Sequence, residues 1–488
     1  MDIPYGRSNF EEIRRKGYFY VDKTRYLPIL ERGSMGYPLL LRPRRFGKST
    51  FLSLLETYYD IAKKEQFEEL FKGLWVGDNP TRERNSYLIL SLDFSTITAG
   101  GGHEGLRRSF FESVRDSVLA FLLKYREFVP VLGDVYDRLG RLQHPEALLG
   151  TVLAVLSASH HKLYVLIDEY DHFANRLLSA DGAPLYDEAI TRRTGFARTF
   201  FSRLKVGTRT GSIGRMFITG VTPFMLGDLT SGLNIMTHAS PFPDLNAVAG
   251  FSRAEVETAL EAFFAARPDL TRIPPLSDRQ GLLAVLEQDY GGYRFSPAAT
   301  ERVFNPDMVL NFLREVDEMR GFPVKMLDRS LRSESCHSHF IGMLAGVAAG
   351  HRDLVSRTLS EGGIRSDLVD QLDLAGLSSR ASYVSLLYYL GMLTLDSTPR
   401  SIQGHDLEIP NRAVRELHWE PLVRALLEAK AQRRPPETVE RAYVDGVSLV
   451  EQHGVLVANS ESGALLSEET FDHRLDRESR AEHLSRAS

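Results

Sequence analysis

At 488 residues the chain exceeds what one compact core serves, so two or three domains are expected. Its 43% apolar and 25% charged fractions are those of ordinary globular protein and exclude wholesale disorder. A net charge of −5 gives no overall electrostatic case for nucleic acid, and the single cysteine, Cys336, excludes an internal disulfide or a multi-cysteine metal site.

His337 and His339, beside Cys336, read as surface polar residues and not as metal ligands. The start of the chain, Met1-Asp2-Ile3-Pro4-Tyr5, lacks the basic and apolar regions of a secretory signal. No apolar stretch approaches the ~20 residues that cross a bilayer, so the expected setting is the cytoplasm, without a membrane.

Taken in order, Phe10–Gly17 reads as a short helix stopped by glycine, Tyr18–Thr24 as extended and Arg25–Arg32 as helical. Tyr37–Arg42 is a short apolar run suited to a buried strand, followed by a turn over Pro43–Thr50. Phe51, Leu52, Leu54, Leu55, Tyr58 and Tyr59 then recur at helical spacing. Three further apolar runs without alternation, Tyr87–Asp93, Leu163–Ile167 and Met216–Val221, read as parallel strands. Helical patterns at Leu106–Tyr125 and Glu146–Ser159 separate them, which argues for an α/β layered domain with a mainly parallel sheet. Gly100–Gly102 and Lys205–Arg215 read as loops.

Beyond Ser252 the texture becomes mostly helical. Ser252-Arg-Ala-Glu255 is a capping box opening a helix over Val256–Ala266. Tyr383–Leu395 predicts a helix turning at Gly391 into a strand, Leu407–Asn411 an extended segment, and Arg412–Glu428 a helix. From Arg433 the chain turns polar.

Two motifs carry chemistry. Gly47-Lys48-Ser49 between a strand and a helix fits the end of G-x-x-x-x-G-K-[S/T], in which backbone N–H groups cradle phosphates and lysine neutralises them. Ser49 supplies a hydroxyl for Mg²⁺, and the helix start adds partial positive charge. Arg42 stands where that pattern has its first glycine. Arg44 and Arg45 contact phosphates or are merely solvated. Leu163–Ile167 followed by Asp168-Glu169 fits a strand ending in two acids, the first for Mg²⁺ and the second for orienting and deprotonating water. Asp171 adds a third acid, and His172 either tunes charge or is surface. Thr219, inside an apolar strand, is a γ-phosphate sensor or an ordinary strand former.

With these residues in place, the chain resembles the AAA-ATPase-like family of prokaryotic and some eukaryotic genomes, over roughly residues 3–420. The segments that carry the resemblance are FEEIRRKGYFYVDKT (10–24), LLRPRRFGKST (40–50), LIDEYD (166–171), FITGVTPF (217–224), YGGYRF (290–295), VFNPDMVL (303–310), YLGMLTL (389–395) and LEIPNRAVR (407–415). The resemblance implies an α/β P-loop NTPase fold of the additional-strand, AAA-like kind, then a mostly α, winged-helix-like domain. It also implies that arginine at position 42 is the family's own form of the loop. Members often end in a PD-(D/E)xK nuclease-like domain. Glu428-Ala-Lys430 fits its tripeptide but lies in a helical run, and Val455–Ala458 has no carboxylate partner, so no nuclease activity is expected.

The expected organisation is an ATPase domain over 1–250, a helical domain over 251–430, and a polar remnant or tail over 431–488. ATP is expected on Arg45, Phe46, Gly47, Lys48, Ser49 and Thr50, and Mg²⁺ on Ser49 and Asp168. Glu169, Lys48 and Thr219 are the expected catalytic groups. The expected function is Mg²⁺-dependent ATP hydrolysis coupled to a conformational switch. The alternative is a nucleotide-gated protein, or a nucleic-acid module unsupported by net charge, with little turnover. An unidentified protein partner is expected, and a homo-oligomer if an arginine finger acts in trans, for which Arg192, Arg193 and Arg198 are candidates by position. Tyr5–Phe10 and Tyr20 lie where such ATPases contact the base, although core packing explains them too.

Overall fold

Five parallel strands organise the first part of the chain: β1 (Tyr37–Leu41), β2 (Tyr87–Asp93), β3 (Lys162–Asp168), β4 (Ile213–Gly220) and β5 (Met236–His238), in the order β2-β3-β4-β1-β5. The computed structural model describes residues 2–98, 100–139, 145–177, 183–192, 194–226, 235–323, 326–327, 351–373, 375–396 and 404–431. Cys336, His337, His339, Arg193 and the segment 455–458 lie outside the described residues. The continuous apolar character of β3 follows from its position, since six of its seven residues are buried between neighbouring strands and flanking helices. Pro38 is tolerated because the β4 ladder begins only at Leu39, past the residue that lacks an N–H.

Helices in this part include α1 (Phe10–Arg15), α2 (Lys48–Tyr59), α3 (Gly102–Tyr125), α4 (Pro145–Ser157) and α5 (Phe196–Thr210). Asn9 caps α1 through Glu12 N, and α2 packs beneath β3 with Leu54, Leu55, Tyr58 and Tyr59 buried. The expected loop over Lys205–Arg215 is wrong. Lys205–Thr210 completes α5, and β4 starts at Ile213. The two glycines in that stretch were misleading. Gly207 is a helix residue whose added Cβ would stand 2.7 Å from Ile213 Cδ1, so it marks close packing of α5 on the sheet. Gly211, at φ 76°, is the left-handed cap that ends α5.

Farther along come β6 (Phe251–Ser252), α6 (Arg253–Ala265), β7 (Val303–Phe304) and α7 (Pro306–Met319), with β6 and β7 antiparallel. The expected capping box is present in full: the Ser252 hydroxyl accepts from Glu255 N, and the Glu255 carboxylate accepts from Ser252 N. The same carboxylate pairs with Lys23 at 2.7 Å, and Lys23 also donates to Ala247 O. Asn305 caps α7 by accepting from Asp307 N and Met308 N.

Contacts divide the chain into two compact units. The first comprises residues 1–279, 295–322 and 370–374, and the second the remainder. Within the second, an antiparallel sheet of β8 (Gly363–Ser366), β9 (Thr394–Leu395) and β10 (His405–Glu408) has the order β8-β10-β9. It is accompanied by α8 (Arg352–Glu361), α9 (Arg380–Tyr389) and α10 (Glu420–Ala431), the last containing the 428–430 tripeptide. Two of the marked segments meet here. Asn411 Nδ2 donates to Gly291 O at 2.6 Å, and a Cβ on Gly292 would lie 2.1 Å from Pro410 O, so only glycine fits. The turn between α9 and β9 falls at Gly391, at φ 76°.

Candidate functional site

The loop between β1 and α2 is built from the inside out. Arg42, which stands in place of the first glycine, is only 1% exposed. Its Nη1 donates to the carbonyls of Leu41 (2.9 Å) and Ser240 (3.3 Å), and Nη2 donates to Leu245 O (2.8 Å). The guanidinium lies 4.2 Å from the centroid of the Phe295 ring. Arg42 therefore anchors the base of the loop to the segment after β5, a brace no glycine supplies. Phe46 is buried, edge-on to the same Phe295 ring at 5.3 Å, and its carbonyl accepts from Gly250 N. Its side chain thus belongs to the core while its backbone belongs to the loop. Arg45 has φ 65° and donates to Asp307 Oδ2 at 2.9 Å, so its guanidinium has a protein partner and is not merely solvated. Arg44 is exposed.

Gly47 caps α2 at φ 85° and ψ 18°, a conformation open to glycine, and a Cβ there would meet nothing within 4 Å. No side chain caps the end of α2, and an uncapped helix N-terminus carries the partial positive charge that suits an anion. Lys48, the first residue of α2, is buried, and its Nζ donates to Arg42 O (3.1 Å) and Pro43 O (3.0 Å). Burial lowers its ammonium pKa, while Glu169, Asp168 and Asp171 pull it back up. Ser49, next along α2, lies close enough to the Asp168 carboxyl to favour its ionised form. Thr50 lines a pocket beside the loop, walled also by Phe19, Tyr20, Gly47, Gly250 and Phe251.

β3 delivers the acids. Asp168 is paired in register with Asp93 at the end of β2, one residue past the end of the β3–β4 ladder at Ile167. Its Oδ1 accepts from the hydroxyl of Thr219, a residue with no exposure at all. Burial raises the Asp168 carboxyl, opposed by Ser49, Thr219 and Lys48. Glu169 has φ 51°, and its carboxylate stands 3.3 Å from His172 Nδ1. Burial pushes its carboxyl up, but His172, Lys48 and Arg44 outweigh that and hold it at about 2. Asp171 has a different task. It accepts from Val221 N, Thr222 N and Thr222 Oγ1, plus Asn175 Nδ2, and so staples the end of β4. Gly220 permits this, since its Cβ would sit 2.5 Å from both Asp171 Oδ1 and the Tyr170 ring.

Lys48, Ser49, Asp168, Glu169 and Thr219 are thus gathered in one place, with Gly47 and Thr50 beside them. Arg45 is drawn towards α7. Tyr20 lines the pocket, whereas Phe10 is fully buried against Tyr20 and Phe71. Arg192 pairs with Asp187 at 3.1 Å, and Arg198 donates to Thr191 O. Residue-level reading missed Phe295, Asn246 and Asp307. Asn246 accepts from Phe295 N and donates to Glu301 O, which holds the Phe295 segment under the loop. The segments YGGYRF and VFNPDMVL were the signal that could have found Phe295 and Asp307.

One carboxylate and one hydroxyl, Asp168 and Ser49, beside the uncapped N-terminus of α2 are a donor set that suits Mg²⁺, an ion commonly held by one or two protein oxygens together with phosphate oxygens and water. Among the described residues, no helix is long and apolar enough to cross a membrane. The uncharacterized protein in the vnfD 5′ region of Azotobacter chroococcum mcd 1 is 29% identical over 321 residues, which is 64% of this chain. The chain spans about half (51%) of that relative's length. A Walker-type ATPase of Pyrococcus abyssi is a structural neighbour at TM-score 0.45 and 13% identity, covering 83% of this chain and 96% of its own. Residues 4–230, which hold the phosphate loop, the acidic pair and Thr219, match the family described as predicted AAA-ATPase.

Proposed function

We propose that this chain is a cytoplasmic, Mg²⁺-dependent ATPase whose nucleotide cycle drives a conformational switch. The observation that carries the reading is the Asp168 carboxylate, which accepts from the hydroxyl of Thr219 on the intervening strand and lies close to Ser49 and Lys48 of the phosphate loop. Bound there through Ser49 and Asp168, Mg²⁺ would neutralise charge on the β- and γ-phosphates. Lys48 needs only to move its ammonium from its own loop carbonyls to phosphate oxygens. Glu169, ionised at neutral pH, orients water and accepts its proton, with His172 fixing the carboxylate. Thr219 acts through Asp168, by positioning it. The pocket beside Gly47 and Thr50 would seat the base and ribose. A winged-helix-like character for the second unit is supported by α8 and α9 accompanying a three-stranded antiparallel sheet.

The test is thermal stabilisation by ATP, ADP and GTP in wild type and Lys48→Ala. At about 100 times the dissociation constant, wild type should gain about 2.7 kcal/mol and the variant far less. Equal responses would remove the phosphate-loop reading. Hydrolysis is tested separately with Glu169→Gln, which should keep ATP binding and lose turnover at least a hundredfold. An unchanged rate would favour a nucleotide-gated module with little turnover.

A further inference from the structure

Arg45 stands two residues before Gly47, in the loop that would wrap the phosphates, yet its guanidinium is held by a carboxylate 262 positions later. The pair is partly buried, with side-chain exposures of 28% for Arg45 and 19% for Asp307. Water therefore weakens the attraction less than at an open surface, while both groups remain able to exchange partners. Arg45 also adopts φ 65°, a backbone region that disfavours any residue with a Cβ and persists where surroundings enforce it. Asp307 lies in the first turn of α7, and the same helix sends Pro306 and Leu310 to the wall of the pocket shared with Gly47 and Thr50. One turn of helix thus touches both the arginine and the pocket.

We infer that Asp307 is a positioning residue of the phosphate site: its carboxylate and the nucleotide's phosphates are rival partners of the Arg45 guanidinium. The inference rests on the phosphate-loop reading above. A polyphosphate carries several negative charges against the single charge of Asp307, so it draws Arg45 over and away from that carboxylate. Occupancy of the loop is thereby registered at the first turn of α7. By linkage, anything that tightens the hold of Asp307 on Arg45 weakens nucleotide binding by the same factor.

A double-mutant cycle in ATP affinity, measured by titration calorimetry, tests this. Asp307→Asn should bind ATP about five-fold tighter than wild type. In the Arg45→Met background the same change should gain less than two-fold. An equal gain in both backgrounds would mean that the carboxylate acts only as a distant repulsive charge, and it would overturn the proposal, as would no gain at all. Asp307→Ser serves as a second variant. A further measurement separates rivalry from bracing of α7. The melting temperature lost in Asp307→Asn should be recovered at saturating ATP, whereas an equal loss with and without ATP overturns the proposal. Lys48→Ala distinguishes the two levels. If wild-type ATP binding does not depend on Lys48, the phosphate-loop reading falls and takes this inference with it. If it does depend on Lys48 and the cycle shows no coupling, only the inference falls.

Discussion

Replacing Arg42 with methionine keeps an apolar stem of similar length and removes the guanidinium. In the structure that group makes hydrogen bonds to the carbonyls of Leu41, Ser240 and Leu245 and lies over Phe295. A hydrogen bond from a charged donor is worth roughly 1.5–3 kcal/mol net, and the cation–π contact about 1 kcal/mol more. Relief of the cost of burying the charge offsets several kcal/mol of that sum. The remainder is about 3 kcal/mol, dominated by carbonyls left without donors in a buried segment. At roughly 2–4 °C per kcal/mol for a domain of this size, Arg42→Met should melt about 8 °C below wild type without nucleotide. ATP affinity, measured at a temperature where both proteins are folded, should change less than about three-fold. Arg42→Gly recreates the glycine of the general phosphate-loop pattern, and it should be at least as unstable. A melting temperature within a degree or two of wild type, together with a tenfold or greater loss of ATP affinity, would refute the bracing role. It would mean that Arg42 serves phosphate instead.

Thr219→Val keeps the shape of the strand residue and removes the hydroxyl from Asp168; steady-state assays should show kcat reduced about tenfold with ATP affinity little changed. Gly207→Val places a branched side chain where Ile213 and Leu153 leave no room, and chemical denaturation should show a loss of about 2 kcal/mol or more. Burial raises the Glu83 carboxyl, but Arg215 outweighs it and holds it below its ordinary value. Its contribution is thus complete above the unfolded value of roughly 4.3 and fades as pH falls through the lower folded value. Urea titrations between pH 6 and pH 3, on the order of three steps, should therefore show wild type losing its advantage over Glu83→Gln on the acid side. A constant gap across that range would contradict the ion pair's role.

What was legible in the sequence follows from how local each signal is. The run Leu163–Ile167 ending in two acids announces a buried strand within a few residues, and β3 occupies Lys162–Asp168. Gly47-Lys48-Ser49 lies between β1 and α2 for the same reason, because a strand, a tight turn and an amphipathic helix are contiguous features. Lys205–Thr210 misled because glycine is ambiguous. The residue that breaks an exposed helix is also the one that lets a buried helix approach a strand, and only the neighbours Ile213 and Leu153 tell the cases apart. The roles of Arg42, Asp171 and Asp307 were illegible for a related reason. Their partners lie 198, 50 and 262 positions away, and a charged side chain carries no mark of which carbonyl, amide or guanidinium it will meet.

The Glu255 carboxylate that caps α6 also receives Lys23. A chain trimmed at its amino end past Lys23 would not shed a loose leader. It would leave a partly buried carboxylate 232 positions downstream without its counter-charge, and loosen a helix that the cut never touched. The practical limit for truncation is therefore set by an ion pair with a residue far along the chain, and a fragment chosen by the start of β1 would be chosen too short.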